Sequence, residues 1–333
     1  MLAHRFVRSP ITRAVLLSAA SALTLFVLVG AAQAKHGTVV GPGDSIQAAV
    51  DAADPADTIL VYGTHRENVA VQTDGLTLRG VGATILPPTV PTVHACFDPN
   101  EVDEAVHGIC VVGDVDFHSG EVARYVKDVT VTGFTVRGFT GSGLITSGAS
   151  HATFKGNVVE NNGDAGISDA QSTGTRVLAN EASGSRFGIF VLATEGSEIA
   201  ANSVHDNCVG TFAFLGAAQT RVAANAISHN TRACPAATDE WPALSGIGVL
   251  LIAVTDTDVT ANVINGNLPT GETSFSGGVV LTAVPDAPPA TGNTITHNVL
   301  AHNDPDLSWD ESDPENLFDH NVCRTSSPAD LCG

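Results

Sequence analysis

The sequence is short of basic residues: 15 Lys and Arg stand against 35 Asp and Glu, a formal net charge of -20 over 333 residues. Surfaces that bind DNA, RNA or anionic membrane need clustered Lys and Arg, so no nucleic-acid partner is expected. Charge of either sign is scarce at 15%. That excludes an architecture of long exposed helices, which would be rich in Glu, Lys and Arg. Aromatic residues make up only 5% and Met occurs once, so a core must be filled with small aliphatic side chains. The hydrophobic fraction of 43% is nevertheless too high for a disordered chain. Glycine is plentiful, with 33 residues, and points to strands and turns.

Residues 1–34 carry Arg5, Arg8 and Arg13, then an apolar run from Ala14 to Ala32, then the small-x-small pattern Ala32-Gln33-Ala34. This order predicts a cleaved secretory signal, the alternative being an uncleaved membrane anchor. No Cys follows the run, so a lipid anchor is not expected. The expectation is a secreted, extracellular protein with no membrane contact after cleavage, its residues 35–333 forming a single domain.

Export makes the six cysteines interpretable, because disulfides persist outside the reducing cytosol. Three local pairs are expected: Cys96 with Cys110, Cys208 with Cys234, and Cys323 with Cys332. Six cysteines allow 15 pairings, so sequence alone leaves the others open. No C-x-x-C or paired-His spacing accompanies them, and no metal or cofactor is expected.

Self-similarity carries most of the structural information. Asn157, Asn180, Asn202, Asn225, Asn262, Asn298 and Asn321 share one frame, at spacings of 22 or 23 residues interrupted by two longer steps of 37 and 36. Each has an apolar residue three positions before it, from Phe154 and Val177 to Phe318. A second asparagine recurs five positions later at Asn162, Asn207, Asn230, Asn267 and Asn303. A Gly-apolar-x-apolar segment follows, as at Gly166-Ile167, Gly188-Ile189, Gly248-Val249 and Gly278-Val279. Such a unit is too short for a βαβ crossover and lacks the apolar runs of a helical repeat. It suits one rung of a parallel β-helix, where equivalent residues stack about 4.8 Å apart. Inward asparagines can then bond along the stack and satisfy turn backbone.

These repeats resemble the right-handed parallel β-helix of the pectin-lyase-like superfamily, especially its secreted actinobacterial members. The stretch Ser45-Ile46-Gln47-Ala48-Ala49-Val50, followed by Asp57-Thr58-Ile59-Leu60-Val61, is similar to that superfamily's N-terminal cap. Ile46, Ala49, Val50 and Ala53 fall on one helical face behind Asp44 as N-cap. The fold expected is therefore all-β, a right-handed parallel solenoid with an N-terminal capping helix. The resemblance specifies fold more than function, since the superfamily holds lyases, hydrolases, epimerases and non-catalytic members.

Fixing the inward positions fixes the outward ones. Arg176, Glu198, Arg221 and Asp258 fall on consecutive rungs and suggest a surface ion-pair ladder. Glu160, His205, Asp206 and His229 also face outward and are expected to be solvated, although His with Asp could perform acid-base work. The acidic stretch from Asp304 through Asp306, Asp310, Glu311 and Asp313 to Glu315 matches no calcium loop and is expected to be a solvated turn.

The Gly-apolar strand is different. Phe190 and Leu192, Phe212 and Phe214, Leu250 and Ile252, and then Val280 would all point outward, an unusual apolar stripe to leave bare. Insertions at residues 231–245, 268–276 and 284–291 should rise along its edges. In the enzymes this sequence resembles, substrate lies on this sheet and catalytic Asp, Glu, Arg or Lys project from it. Here the candidates are Asp239 and Glu240 on an inserted loop and Arg186 before a strand. Phe190, Phe212, Phe214 and Trp241 could form a platform for sugar rings, or the loops, with Pro242, Leu244 and Phe275, could fold down and bury the stripe. Covering apolar area gains about 25 cal/mol per Å², which favours burial. The leading expectation is a carbohydrate-associated β-helix protein, non-catalytic or of undefined activity, with a polysaccharide as candidate partner. The alternatives are a polysaccharide lyase, epimerase or glycosidase, and a surface protein that self-associates through the stripe.

Overall fold

A computed structural model describes residues 37–92, 105–116, 119–236 and 242–332, all within the unit Lys35–Gly333. Short strands stack in parallel into a 17-stranded and a 10-stranded sheet. The larger sheet comprises two columns joined at a bend, so each full rung presents three faces. Face 1 runs through Thr153–Lys155, Arg176–Leu178, Glu198–Ala200, Arg221–Ala223, Asp258–Thr260, Thr294–Thr296 and Leu317–Asp319. Face 2 includes Val158–Glu160 and Val299–Ala301 and continues toward the N-terminus through the second half of Thr130–Arg137. Face 3 includes Leu144–Ser147, Ala165–Ala170, Phe187–Leu192, Val209–Phe214, Ile247–Ile252, Gly277–Leu281 and Leu307–Trp309.

The corner between faces 1 and 2 is built by the first asparagine series. Asn202 shows the pattern: its Nδ2 donates to the Val177 carbonyl at 2.9 Å, and both its N–H and Nδ2 donate to Asn225 Oδ1, at 2.9 and 3.0 Å. The same bonds link Asn157 to Asn180 and continue to Asn321. At its N-terminal end the ladder is closed by Phe134, whose N–H donates to Asn157 Oδ1 at 3.1 Å. The ladder also supports backbone strain. Ala179, Ala201, Ala224, Ala261, His297 and His320, each preceding a ladder asparagine, have φ between 51° and 56°. That left-handed geometry costs a non-glycine residue about 1 kcal/mol.

A second ladder turns the chain from face 2 to face 3 through Asn162, Ser185, Asn207, Asn230, Asn267 and Asn303. The glycine that follows each corner is set by close packing. A Cβ on Gly188 would lie 2.3 Å from Val204 Cγ1 and 2.8 Å from Asn207 Nδ2.

Inside the solenoid like stacks on like: Leu144, Ile167 and Ile189 are in register, as are Val249, Val279 and Leu307, and all are fully buried. The helix Ile46–Asp51 covers the N-terminal end, burying Ile46 and Val50. Its N-cap is Ser45 rather than Asp44: the Ser45 side chain accepts from the Ala48 N–H, whereas Asp44 accepts from the Gly41 N–H at 3.0 Å in the preceding turn. Glu67 completes the cap by accepting from the Ile46 N–H at 2.7 Å.

Two expected disulfides are present, Cys208–Cys234 and Cys323–Cys332. Cys110 is also disulfide-bonded, and its expected partner Cys96 lies outside the described residues. No helix among the described residues is long and apolar enough to cross a membrane.

Candidate functional site

Face 3 carries the outward apolar residues in register. Ile145, Ser168, Phe190, Phe212, Leu250, Val280 and Ser308 form one line along the axis, and Leu192, Phe214 and Ile252 a second. Phe190 and Phe212 pack with Phe187 at centroid distances of 5.1 to 5.4 Å, and Phe214 adds a contact of 5.1 Å to Phe212. Such spacings are those of tilted and offset aromatic pairs.

The inserted loops fold down onto this line. Cys234 is fastened to Cys208 at the start of a face 3 strand and exchanges two 2.9 Å backbone bonds with Leu244, closing the first insertion. The second insertion lies against the first, with the Ser274 N–H donating to the Ala243 carbonyl and the Ser245 N–H to Thr273 Oγ1. Phe190 is 7% exposed, Phe212 3% and Leu250 1%, in one cluster with Leu244, Phe275 and Val284. Most of the stripe is therefore a second core. Phe190 and Phe212 offer no open ring face, and Phe214 and Leu192 remain half-buried.

Arg186 belongs to the same roof. Its Nη2 donates to the Pro242 carbonyl at 3.1 Å and its guanidinium lies 5.6 Å from the Phe187 ring centroid. Burial lowers its pKa from the usual arginine value, partly offset by the negative charge of Asp164. Asp239, Glu240 and Trp241 lie outside the described residues.

Among the described residues, the recesses on this side include an apolar cleft and a polar groove. Phe214, Leu250 and Ile252 floor an apolar cleft of about 580 Å³, walled by Leu244 and Phe275 on one side and Val284 and Ala287 on the other. A polar groove of about 480 Å³ lies nearer the N-terminus, at the corner between faces 3 and 1. Its floor crosses three rungs at Gln171–Thr173, Ala193–Glu195 and Gly216 with Ala218, and its wall is formed by Gly120 and Val122 of the hairpin of Asp114–Asp116 and Glu121–Arg124 and by Tyr125 just after it. Gln171 is fixed by accepting from Ser147 Oγ at 3.1 Å. This hairpin lies outside the repeat frame, so periodicity gave no sign of the groove.

The other candidates are surface pairs. Arg176 Nε lies 3.1 Å from Glu198, and Arg221 reaches the same carboxylate at 4.0 Å. Asp258 makes no ion pair among the described residues, so the expected ladder stops one rung early. His205 sits between Asp206 at 2.7 Å and Glu181 at 3.4 Å, and Glu160 pairs with Arg137 at 3.4 Å. No three His, Cys, Asp or Glu side chains among the described residues converge as metal ligands.

Two carboxylates are enclosed. Asp169 is an inward residue of face 3, fully enclosed, accepting from Thr146 Oγ1 at 2.5 Å and Ser197 Oγ at 2.6 Å. Burial raises its pKa above the usual carboxylate value, against the opposing effect of these hydroxyls. The frame could have revealed it, since Asp169 stands two residues after inward Ile167. Asp306, expected in a solvated turn, is 2% exposed. It closes the second ladder, accepting from the Asn303 N–H and Nδ2 and from the Arg324 N–H. Burial pushes its pKa up, but these donors together outweigh burial and hold it below the usual value.

Residues 119–322 match the family model described as the right handed beta helix region. The chain belongs to that family. Its fold is the pectin-lyase-like right-handed parallel β-helix. Among solved structures, the Streptococcus pneumoniae surface protein and adhesin PfbA is similar at 14% identity and a TM-score of 0.53, over 84% of this chain and 81% of that one. The A-module of the Azotobacter vinelandii mannuronan C-5 epimerase AlgE4 is similar at 14% identity and a TM-score of 0.50, over 84% and 91%. No curated protein matches the sequence. At these identities the likeness is one of fold.

Proposed function

We propose that this β-helix protein is exported and contacts a polysaccharide, and that the contact surface is the polar groove beside Tyr125. The observation that carries this reading is the combination found in that groove. One aromatic side chain forms a wall, and the hydrogen-bonding side chains Gln171, Thr173 and Glu195 line a floor that crosses successive rungs. Sugar rings pack their C–H faces on aromatic rings while their hydroxyls exchange hydrogen bonds. A polymer laid along the axis meets the same backbone geometry at each rung. A mannuronan epimerase on the same fold is compatible with this substrate class. The net charge of -20 and Glu195 in the groove favour a neutral glycan over a polyuronate. The three expected disulfides and the signal pattern of residues 1–34 support export.

The test is retention of the mature chain on a glycan array holding neutral glucans, xylans, pectate and alginate, with reducing-end and unsaturated-uronate assays run on any glycan retained. Retention of a neutral glycan, reduced about tenfold or more by Tyr125→Ala, is the expected result. Retention untouched by Tyr125→Ala overturns the groove as the surface. Turnover would give the face an enzymatic role, and retention of no glycan would overturn the reading altogether.

A further inference from the structure

The apolar cleft has the wrong chemistry for a glycan. Its floor of Phe214, Leu250 and Ile252 offers no hydrogen-bonding side chain, and Ser274 and Asp286 are the polar side chains on its margin among the described residues. Its volume of about 580 Å³ lies within the range of small-molecule pockets, which are mostly apolar with a few placed polar groups. Both walls are fastened. One is the disulfide-anchored roof, bonded from the Ser274 N–H to the Ala243 carbonyl. The other is held at its base by Asp310, which accepts from the Ala283 N–H at 2.6 Å and from Thr282 Oγ1 at 3.3 Å. A recess with fixed walls need not be ordered by its ligand, which lowers the cost of binding.

From this geometry we propose that the cleft is a binding site for a small apolar or amphiphilic molecule whose head group is neutral or cationic. The apolar body lies on Phe214 and Ile252, between Phe275 and Val284. The head group emerges beside Asp286, the one charged residue of the described lining, on a protein of net charge -20. An anionic head would meet repulsion from both. This site is separate from the polar groove, and the proposal stands or falls without the glycan reading.

The test uses the mature chain with three probes: the neutral fluorophore N-phenyl-1-naphthylamine, dodecyltrimethylammonium below its micelle concentration, and dodecanoate. Saturable fluorophore binding is expected, with displacement by the cation at least tenfold more effective than by dodecanoate. Ala287→Trp fills the cleft from one wall and should weaken fluorophore binding tenfold or more. Asp286→Asn should narrow the gap between the two displacers and leave fluorophore affinity within about twofold. If Ala287→Trp lowers the unfolding midpoint, Ser274→Trp fills the cleft from the opposite wall and carries the same expectation. Absence of saturable binding, or binding unchanged in a folded cleft-filling variant, overturns the proposal. Equal displacement by the two amphiphiles overturns the assignment of the head group.

Discussion

Faces 1 and 3 are made by the same repeat, pair through the same parallel register and turn their apolar residues into the same interior, yet they differ on the outside. On face 1 the outward positions of three consecutive rungs are Arg176, Glu198 and Arg221, each side chain 36% to 54% exposed. On face 3 the rungs carry Phe190, Phe212 and Leu250, almost wholly covered. The repeat thus fixes the solenoid and leaves outward chemistry free, and the insertions decide which face becomes a second core. Covering the stripe leaves recesses beside the roof, among them the polar groove toward the N-terminus and the apolar cleft toward the C-terminus.

The contrast can be broken at single outward positions. Phe212→Ala should cost about 3–5 kcal/mol, as for a buried aromatic, measured by urea unfolding. A loss below about 1 kcal/mol would mean that the roof does not pack on it. The shared corner comes next. Asn225→Ala removes the acceptor for the Asn202 N–H and Nδ2 and the donor to the Ile199 carbonyl, and should cost about 3 kcal/mol. Stability near wild type would show that water replaces the ladder.

The two enclosed carboxylates should respond to pH in opposite directions. The Asp169 pKa is raised in the folded state, so its contribution is fully present below the unfolded value of 3.8 and is lost as pH rises through the folded value. The Asp306 pKa is lowered, so its contribution is present above 3.8 and is lost as pH falls through the folded value. Unfolding midpoints of Asp169→Asn and Asp306→Asn, followed against wild type from pH 3 to pH 7, should diverge with opposite slopes. Parallel curves would contradict the two environments. The smallest effect belongs to the exposed ladder: Arg176→Ala should change stability by no more than about 0.5 kcal/mol, and less at high salt.

How far this structure could be read in advance depended on whether a feature repeats. The asparagine ladders were legible because each rung needs the same corner group, and the pairings Cys208–Cys234 and Cys323–Cys332 followed from local spacing. The covered stripe was legible as a balance, because outward Phe and Leu lay beside insertions long enough to reach them. Features that break the period were hidden. The groove wall at Tyr125 follows a hairpin between rungs, and Asp306 takes a ladder position that asparagine holds on most other rungs. The helix cap shifted by one residue because Ser45 and Asp44 are both good caps and only the turn geometry chooses between them.

The central claim is that the stripe on face 3 is covered. Hydroxyl-radical footprinting of residues 35–333 without substitutions, read residue by residue by mass spectrometry, tests it most directly. Phe190 and Phe212 should be oxidised at least tenfold more slowly than Tyr62, which is 38% exposed, with half-buried Phe214 between them. Oxidation of Phe190 and Phe212 at the rate of Tyr62 would show the stripe open to solvent and contradict the account.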